Sequence, residues 1–150
     1  MKQIPYIADF NQWKEEFSFY IPVNVRFSET DMFGHVNNVS PFIYFEEART
    51  TFMQKYKVFG DLQEGSDGVP VVSDLQCDYL KQMYFGQSFK TYCKVNQVGN
   101  TSMDLHYMTV DEKGDVCLTG RGRIVQIDPQ TGKSVPFSEE QLRIIEESRK

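Results

Sequence analysis

The residues best suited to chemistry stand together in one short segment, from Asp31 to Asn38. Asp31 lies in a turn-like stretch that follows a strand pattern, and a helical pattern begins just after Asn38. A carboxylate can attack a carbonyl carbon or activate a water molecule for that attack. The first N–H groups of a helix have no partner within the helix, so they can stabilise negative charge that develops on a carbonyl oxygen. The segment therefore contains both halves of a site for acyl hydrolysis.

The same residue types also have a purely structural interpretation. An Asp in a turn before a helix commonly forms an Asx turn or a cap. His35 is equally compatible with a capping or hydrogen-bonding role. Asn37, Asn38 and Ser40 are each candidates for the helix N-cap. Gly34 predicts either a turn conformation open to glycine or room for a ligand to approach.

Other chemically capable side chains are predicted to be structural. The chain has three cysteines, Cys77, Cys93 and Cys117. They fall within predicted strands without a neighbouring histidine, which indicates buried apolar side chains rather than nucleophiles. His106 stands in the middle of a strand pattern and is predicted on the sheet surface. Glu46 and Glu47 are predicted on a solvated helix face, with one of them pairing with Arg49; a catalytic carboxylate on this helix remains the alternative.

Hydrophobic periodicity predicts the elements that position the segment. Aromatic residues at helical spacing over 10–17, behind Asp9 as a possible N-cap, predict a short amphipathic helix. From residue 22 the pattern alternates, which predicts a strand with Phe27 on its buried face. Residues 39–56 give the strongest helical pattern, and it is apolar on nearly all sides in its first turns. Such a helix is expected to be wrapped by the rest of the protein.

The second half of the chain has strand patterns. After a loop at 60–68, four strands are predicted at 69–80, 88–98, 101–110 and 116–127. The short turns between the last three predict consecutive antiparallel hairpins. Ser138 and Gln141 have the spacing of a capping box for a C-terminal helix. This order predicts an α+β fold in which one curled antiparallel sheet of about five strands wraps a long central helix, with short helices at both ends.

Composition excludes several classes of protein. A length of 150 residues is typical of a single domain, here 1–150. The net charge of −5, from 16 basic and 21 acidic residues, disfavours a nucleic-acid partner. No apolar run is long enough for a membrane span or a signal peptide. Three widely spaced cysteines and two histidines predict neither a disulfide framework nor a zinc site, and we expect a cytoplasmic protein without a metal.

The motifs themselves resemble a known family. Residues 25–38 read V-R-F-S-E-T-D-M-F-G-H-V-N-N, and residues 44–49 read Y-F-E-E-A-R. With the strand before them and the strand order after them, they resemble hot-dog-fold thioesterases of the 4-hydroxybenzoyl-CoA thioesterase type, over roughly residues 21–127. The resemblance implies hydrolysis of acyl-CoA or acyl-carrier-protein thioesters in fatty acid metabolism. It also implies homodimers or homotetramers with active sites at the interface. No cofactor is implied, because coenzyme A (CoA) is part of the substrate.

By the same resemblance, Asp31 corresponds to the catalytic aspartate, as base or nucleophile, and the Asn38 backbone N–H to the donor that polarises the thioester carbonyl. His35 takes a supporting role, orienting substrate or water, because Phe33 stands where part of the family has an asparagine. The implied substrate-binding residues are Gly34, Val36, Asn37, Phe42, Phe45, Arg121 and Arg123. Phe42 and Phe45, together with Phe52, are assigned to an acyl tunnel beside the helix. The two arginines, with Lys81, Lys90 and Lys94, are candidates for holding the CoA phosphates.

Three alternatives remain at this point. One is a thioesterase that acts on acyl-carrier protein rather than acyl-CoA. Another is a hydroxyacyl dehydratase of the same fold, but the position of Asp31 before the helix favours hydrolysis. The last is a protein that binds acyl-CoA without turnover, which the presence of Asp31, Gly34 and His35 disfavours.

Overall fold

Three helices and five strands make up the fold. The computed structural model describes residues 2–60 and 68–150, so the loop predicted at 60–68 lies almost entirely outside the described residues. The helices are α1 (Phe10–Glu15), α2 (Ser40–Tyr56) and α3 (Glu139–Ser148). The strands are β1 (Tyr20–Asn24), β2 (Val69–Tyr79), β3 (Ser88–Val98), β4 (Ser102–Val110) and β5 (Val116–Ile127). None of the described helices is long and apolar enough to cross a membrane.

The five strands form one antiparallel sheet in the order β1-β3-β4-β5-β2. The consecutive neighbours β3, β4 and β5 are the predicted meander. The two strands at the edges, β1 and β2, are the ones that flank α2 in the sequence. The predicted α+β plan is confirmed, with the long helix α2 packed against the sheet in the hot-dog arrangement.

The inner face of the sheet holds α2. Phe45 and Ala48 are fully buried, and the Phe45 ring stacks on Tyr107 of β4 with 4.7 Å between ring centroids. A glycine at position 120 of β5 is required for this packing. A Cβ atom there would come within 2.4 Å of the Phe45 ring. The predicted wrapping of this helix by protein is confirmed.

The outer face of the sheet is covered by α1, and this overturns the prediction for His106. Trp13 of α1 donates from Nε1 to His106 Nδ1 at 2.9 Å, and only 1% of His106 is exposed. Period-two alternation places His106 away from α2, but it does not show that another element covers that face. Burial lowers the pKa of His106 to about 4, against the opposing effect of Asp104, whose Oδ2 lies 3.2 Å from His106 Nε2.

Phe27 also departs from its predicted place. β1 ends at Asn24, and Phe27–Glu29 form a 3-10 turn that leaves Phe27 76% exposed. The turn forms because Arg26 N donates to the Glu29 carboxylate at 2.9 Å and redirects the chain. The predicted burial of the alternating residues holds only as far as Val25.

Two local predictions are confirmed. Ser138 Oγ accepts from Gln141 N at 3.1 Å, and Gln141 Oε1 accepts from Ser138 N at 3.0 Å, which is the predicted capping box. The three cysteines are free thiols, two of them buried and Cys77 half-buried. Burial raises the pKa of Cys77 to about 12 and that of Cys117 to about 11, so neither thiol is suited to nucleophilic chemistry.

Candidate active site

The carboxylate of Asp31 organises the turn before α2. Its Oδ1 accepts from Phe33 N at 2.8 Å and from His35 N at 3.2 Å. The Asp31 backbone N donates to His35 O at 2.8 Å, and Gly34 has a φ of 79°, a conformation that favours glycine. The structural interpretation, an Asx turn, is therefore confirmed. It uses one carboxylate oxygen, and Oδ2 makes no hydrogen bond to the described residues, so the turn leaves this oxygen available for chemistry.

Among the backbone N–H groups of residues 37–40, those of Asn37, Val39 and Ser40 donate hydrogen bonds within the described residues. Asn37 N donates to Glu29 O at 2.9 Å. On the other side, Val39 N and Ser40 N both donate to Asn37 Oδ1, at 2.9 and 3.0 Å. The N-cap residue of α2 is Val39, so none of the three predicted candidates holds that position, because the helix begins at Ser40. Asn37, two residues before Val39, supplies the side-chain acceptor for the first N–H groups instead. The Asn38 N–H donates to no atom of the described residues, which is the condition an oxyanion donor must meet.

Glu29 holds this turn in place, a role that the strand and helix patterns of the sequence did not indicate. Its buried carboxylate accepts from Arg26 N, from the Arg26 guanidinium at 3.2 Å and from Tyr44 Oη at 2.9 Å. Burial alone would raise the pKa of Glu29, but the hydrogen bonds from Arg26 and Tyr44 outweigh it and keep the pKa below its usual value. The three-residue spacing of Arg26 and Glu29, which form an ion pair at 3.2 Å, was the signal present in the sequence.

Asp31 and Asn38 line the same cavity, which has a volume of about 360 Å³. Its other polar residues are His35, Tyr79, Lys81 and Gln82. Its apolar residues are Val36, Pro41, Leu80, Met83 and Leu118. The cavity lies where the start of α2 meets the end of β2, so the Asx turn, the helix start and an edge of the sheet all contribute to it. A cavity of this size is in the range of small-molecule sites.

His35 lines the cavity through its position between two loops. Its backbone carbonyl accepts from Asp31 N, and it forms an isolated bridge with Tyr84. Its ring meets the Tyr84 ring edge-on, with 4.9 Å between centroids. The structure therefore places His35 beside Asp31, as a supporting role requires.

Only some of the predicted substrate-binding residues of the motif and of α2 line the cavity. Val36 lines the cavity. Gly34 and Asn37 shape the turn and the cap. Phe42 is half-buried and meets Phe45 edge-on, while Phe45 itself lies in the core rather than among the residues that line the cavity.

The predicted phosphate-binding arginines lie away from the cavity. Arg121 pairs with Asp74 at 3.2 Å and, more closely, with Asp104. Arg123 is exposed, and its backbone N donates to Asp74 at 3.0 Å. Lys90 lies over the ring of an exposed tyrosine in β1, 4.8 Å from its centroid. None of the three is among the residues that line the cavity.

Of the basic residues considered, Lys81 reaches the cavity. Its Nζ lies 2.7 Å from Asp111 and 2.9 Å from Asp115, so its charge is already balanced by two carboxylates. Lys94 is ion-paired with Glu16 beside α1. A nucleotide phosphate near this cavity would meet Lys81 as the nearest cation of the lining, and it would compete with the two aspartates for that cation.

The two glutamates of α2 are exposed, as predicted. Glu46 lies 3.8 Å from Arg49, whose Nη1 donates to Tyr107 Oη at 3.1 Å. Neither Glu46 nor Glu47 lines the cavity beside Asp31. Within residues 2–60 and 68–150, no three His, Cys, Asp or Glu side chains are grouped so that they could hold a metal ion.

Comparisons with known proteins agree with this geometry. Residues 25–145 match the thioesterase-like superfamily. The chain is 41% identical over 150 residues to the uncharacterized protein YsmA of Bacillus subtilis strain 168, which covers 99% of this chain and 100% of YsmA. It resembles a predicted thioesterase from Bacillus stearothermophilus with a TM-score of 0.77 and 30% identity, covering 87% and 95% of the two chains.

A thioesterase from Thermus thermophilus, solved in complex with coenzyme A and Zn, has a TM-score of 0.78 to this structure. The two chains are 27% identical, and the match covers 90% of this chain and 97% of the other. The match to the superfamily spans the Asx turn, the helix start and every strand from β2 to β5. The chain belongs to the thioesterase-like superfamily, and it is a hot-dog-fold thioester hydrolase.

Proposed function

We propose that this thioester hydrolase acts on acyl-CoA and releases a free carboxylic acid and coenzyme A. The observation that carries the proposal is the pairing in one cavity of Asp31, with an unused carboxylate oxygen, and the Asn38 N–H, without a partner in the described residues. The Thermus thermophilus relative complexed with coenzyme A supports CoA as the carrier. We further propose a cytoplasmic location, which the three free thiols support.

In the proposed reaction the thioester carbonyl oxygen accepts from the Asn38 N–H. Asp31 Oδ2 either takes a proton from a water molecule that attacks the carbonyl carbon or attacks that carbon itself. In the first route the tetrahedral intermediate expels the CoA thiolate, which takes up the proton held by Asp31. In the second route the CoA thiolate departs, and the acyl group stays bonded to Asp31 as an anhydride. Water then hydrolyses this anhydride to the free carboxylic acid and the Asp31 carboxylate. Label found in Asp31 after a single turnover in ¹⁸O-labelled water would identify the second route, because only an anhydride opened at the Asp31 carbonyl carries water oxygen into this side chain.

The Asp31→Asn substitution tests the role of the carboxylate. An asparagine keeps an oxygen that can accept from Phe33 N and His35 N, so the turn is retained while the charge is lost. We expect kcat/KM on the best substrate of an acyl-CoA panel, followed by thiol release, to fall by roughly 10²- to 10⁴-fold, as for loss of a general base.

Asp128→Asn is the matched control. Asp128 Oδ1 also caps a turn, accepting from Gln130 N at 2.7 Å and Thr131 N at 3.2 Å, but it does not line the cavity. Full activity in Asp31→Asn would remove Asp31 from the chemistry. If thiol is released faster when the same acyl group is attached to acyl-carrier protein than when it is attached to CoA, the carrier is that protein. Tight CoA binding without any turnover by the unmodified protein would indicate a binding protein.

We also propose that the protein works as a homodimer, or as a tetramer of such dimers, with the cavity completed at the interface. Met32 and Phe33 follow Asp31 directly in the sequence, and their apolar side chains are 90% and 74% exposed. β2, whose last residue Tyr79 lines the cavity, is a sheet edge, and Val71 and Val72 near the other end of this strand are exposed. Such a patch and such an edge are both typical of association surfaces.

A further inference from the structure

Tyr79 connects the sheet to the turn that carries Asn38. It is the last residue of β2 and lines the cavity, and its hydroxyl donates to the backbone carbonyl of Asn38, 41 residues away in the sequence. About half of the side chain is exposed, so core packing does not explain its position. The hydrogen bond joins the edge strand directly to the proposed oxyanion donor.

This contact fixes one of the two peptide planes that meet at the Asn38 Cα atom. The plane between Asn38 and Val39 is held at one end by the bond from Val39 N to Asn37 Oδ1, and at the other by the Tyr79 hydroxyl. The bond to Asn37 stays within the turn. The bond to Tyr79 is the one that anchors this plane to the sheet. The Asn38 N–H lies in the adjacent plane, so its direction depends on how firmly the anchored plane is held.

We propose that Tyr79 is a positioning residue for thioester hydrolysis, and that its hydroxyl holds the Asn38 turn so that the N–H is presented to the substrate carbonyl. The inference rests on the proposed function of Asn38. Tyr79 acts through the backbone of Asn38 and exchanges no proton with the substrate. Burial and the neighbouring Cys77 raise the pKa of Tyr79 to about 12, so the hydroxyl keeps its proton and remains a donor at neutral pH.

The Tyr79→Phe substitution removes the hydroxyl and keeps the ring. We expect kcat to fall by about tenfold, less than the 10²- to 10³-fold loss typical when an oxyanion donor itself is removed. KM should change by less than about twofold, because a misdirected donor weakens the transition state more than the bound substrate. A smaller folded fraction would also lower the apparent kcat without changing KM, so kcat is expressed per folded protein, measured by circular dichroism. A purely structural role would then leave kcat per folded protein unchanged.

Tyr20→Phe is the matched control. Tyr20 lies on β1, the opposite edge strand, and is 44% exposed against 46% for Tyr79. Its hydroxyl makes no hydrogen bond to the described residues, so this variant should retain the unmodified kcat. An alkyl-CoA thioether, which has no carbonyl, should bind Tyr79→Phe and the unmodified protein equally.

A measurement independent of activity follows from the same geometry. A hydrogen bond to the Asn38 carbonyl polarises the peptide that contains Val39 N, so the ¹⁵N chemical shift of the Val39 amide should change in Tyr79→Phe and not in Tyr20→Phe. If the unmodified protein hydrolyses thioesters and Tyr79→Phe matches Tyr20→Phe in kcat, the positioning role is wrong and the proposed function stands. If the unmodified protein hydrolyses no thioester of the panel, the proposed function fails and the inference falls with it.

Discussion

Asp31 shows how a structural and a chemical role can share one side chain. Its Oδ1 closes the Asx turn, and its Oδ2 is left to the cavity. The sequence presented the two roles as alternatives because it does not distinguish two oxygens of one carboxylate. Glu29 was missed for a different reason. Its spacing from Arg26 was visible, but its contact with Tyr44, 15 residues on, depends on how α2 docks.

At the same scale, the lowered pKa of His106 predicts how the free energy of unfolding depends on pH. Its pKa is about 4 in the folded protein and near the ordinary 6.5 in the unfolded chain, so the unfolded chain binds more protons between these values. Stability should therefore fall as the pH drops from 6.5 to 4, by about 2–3 kcal/mol for this group. Urea denaturation at several pH values measures it.

In His106→Gln, which keeps an acceptor for Trp13, this part of the pH dependence should disappear. His35→Gln, which alters the other histidine of the chain, should retain it. Glu29 and Asp111, whose pKa values are lowered, begin to lose their contributions as the pH falls through their ordinary values of 4.5 and 3.8, and this loss is common to all three proteins, so it cancels in the comparison. An unchanged pH profile in His106→Gln would contradict the assignment.

At the scale of elements, α2 brings Phe45 close to two residues of the cavity lining. Pro41 and Leu118 are two of the apolar residues that line the cavity. Phe45 lies one helical turn beyond Pro41, and Gly120 lies two residues beyond Leu118 on the same face of β5, with the Phe45 ring packed against Gly120. Phe45 therefore packs in the core next to positions that line the cavity, and we expect it to limit how far an acyl chain extends along α2.

Phe45→Leu should lengthen the cavity and shift acyl preference towards longer chains. The reason is that a smaller side chain opens space behind Pro41 and Leu118, at a stability cost of roughly 1–3 kcal/mol. The measurement is the ratio of kcat/KM for long and short acyl-CoA substrates, which does not depend on the folded fraction. Phe52→Leu, a buried change two turns further along α2, should leave the ratio unchanged. Equal ratios in both variants would contradict a role for Phe45 in acyl length.

The elements were the part of the structure best predicted from sequence. The four strands after α2 begin and end within one residue of their predicted bounds, because their alternation and turns are local signals. The predicted burial of Phe27 was wrong because the Glu29 carboxylate diverts the chain. The predicted exposure of His106 was wrong because α1 covers the outer face of the sheet. Both errors come from contacts that alternation along a strand does not record. The acyl tunnel was inferred from aromatic spacing, which a core helix and a ligand-lined helix share.

At the scale of the whole molecule, the proposed dimer has a direct test. β2 is a long sheet edge with exposed valines, and its unpaired backbone groups favour pairing with another strand. Light scattering should give at least twice the chain mass of 17.5 kDa. Val71→Lys should shift the mass towards the monomer and reduce turnover, because a charge on the edge opposes pairing. Leu142→Lys, at an equally exposed position of α3, should do neither. A monomer with full turnover would contradict the proposal.

The contact between Phe45 and Gly120 makes the helix side and the sheet side of the core behind the cavity differ in how substitutions can enlarge it. Glycine is the smallest residue, so the sheet side offers no substitution that would deepen the cavity, and any side chain at position 120 displaces the Phe45 ring. On the helix side, position 45 can be substituted by residues smaller than phenylalanine, and each smaller side chain would enlarge the space further. Relatives of this protein that accept longer acyl groups by deepening this cavity are therefore expected to differ at the position of Phe45 and to keep the glycine opposite it.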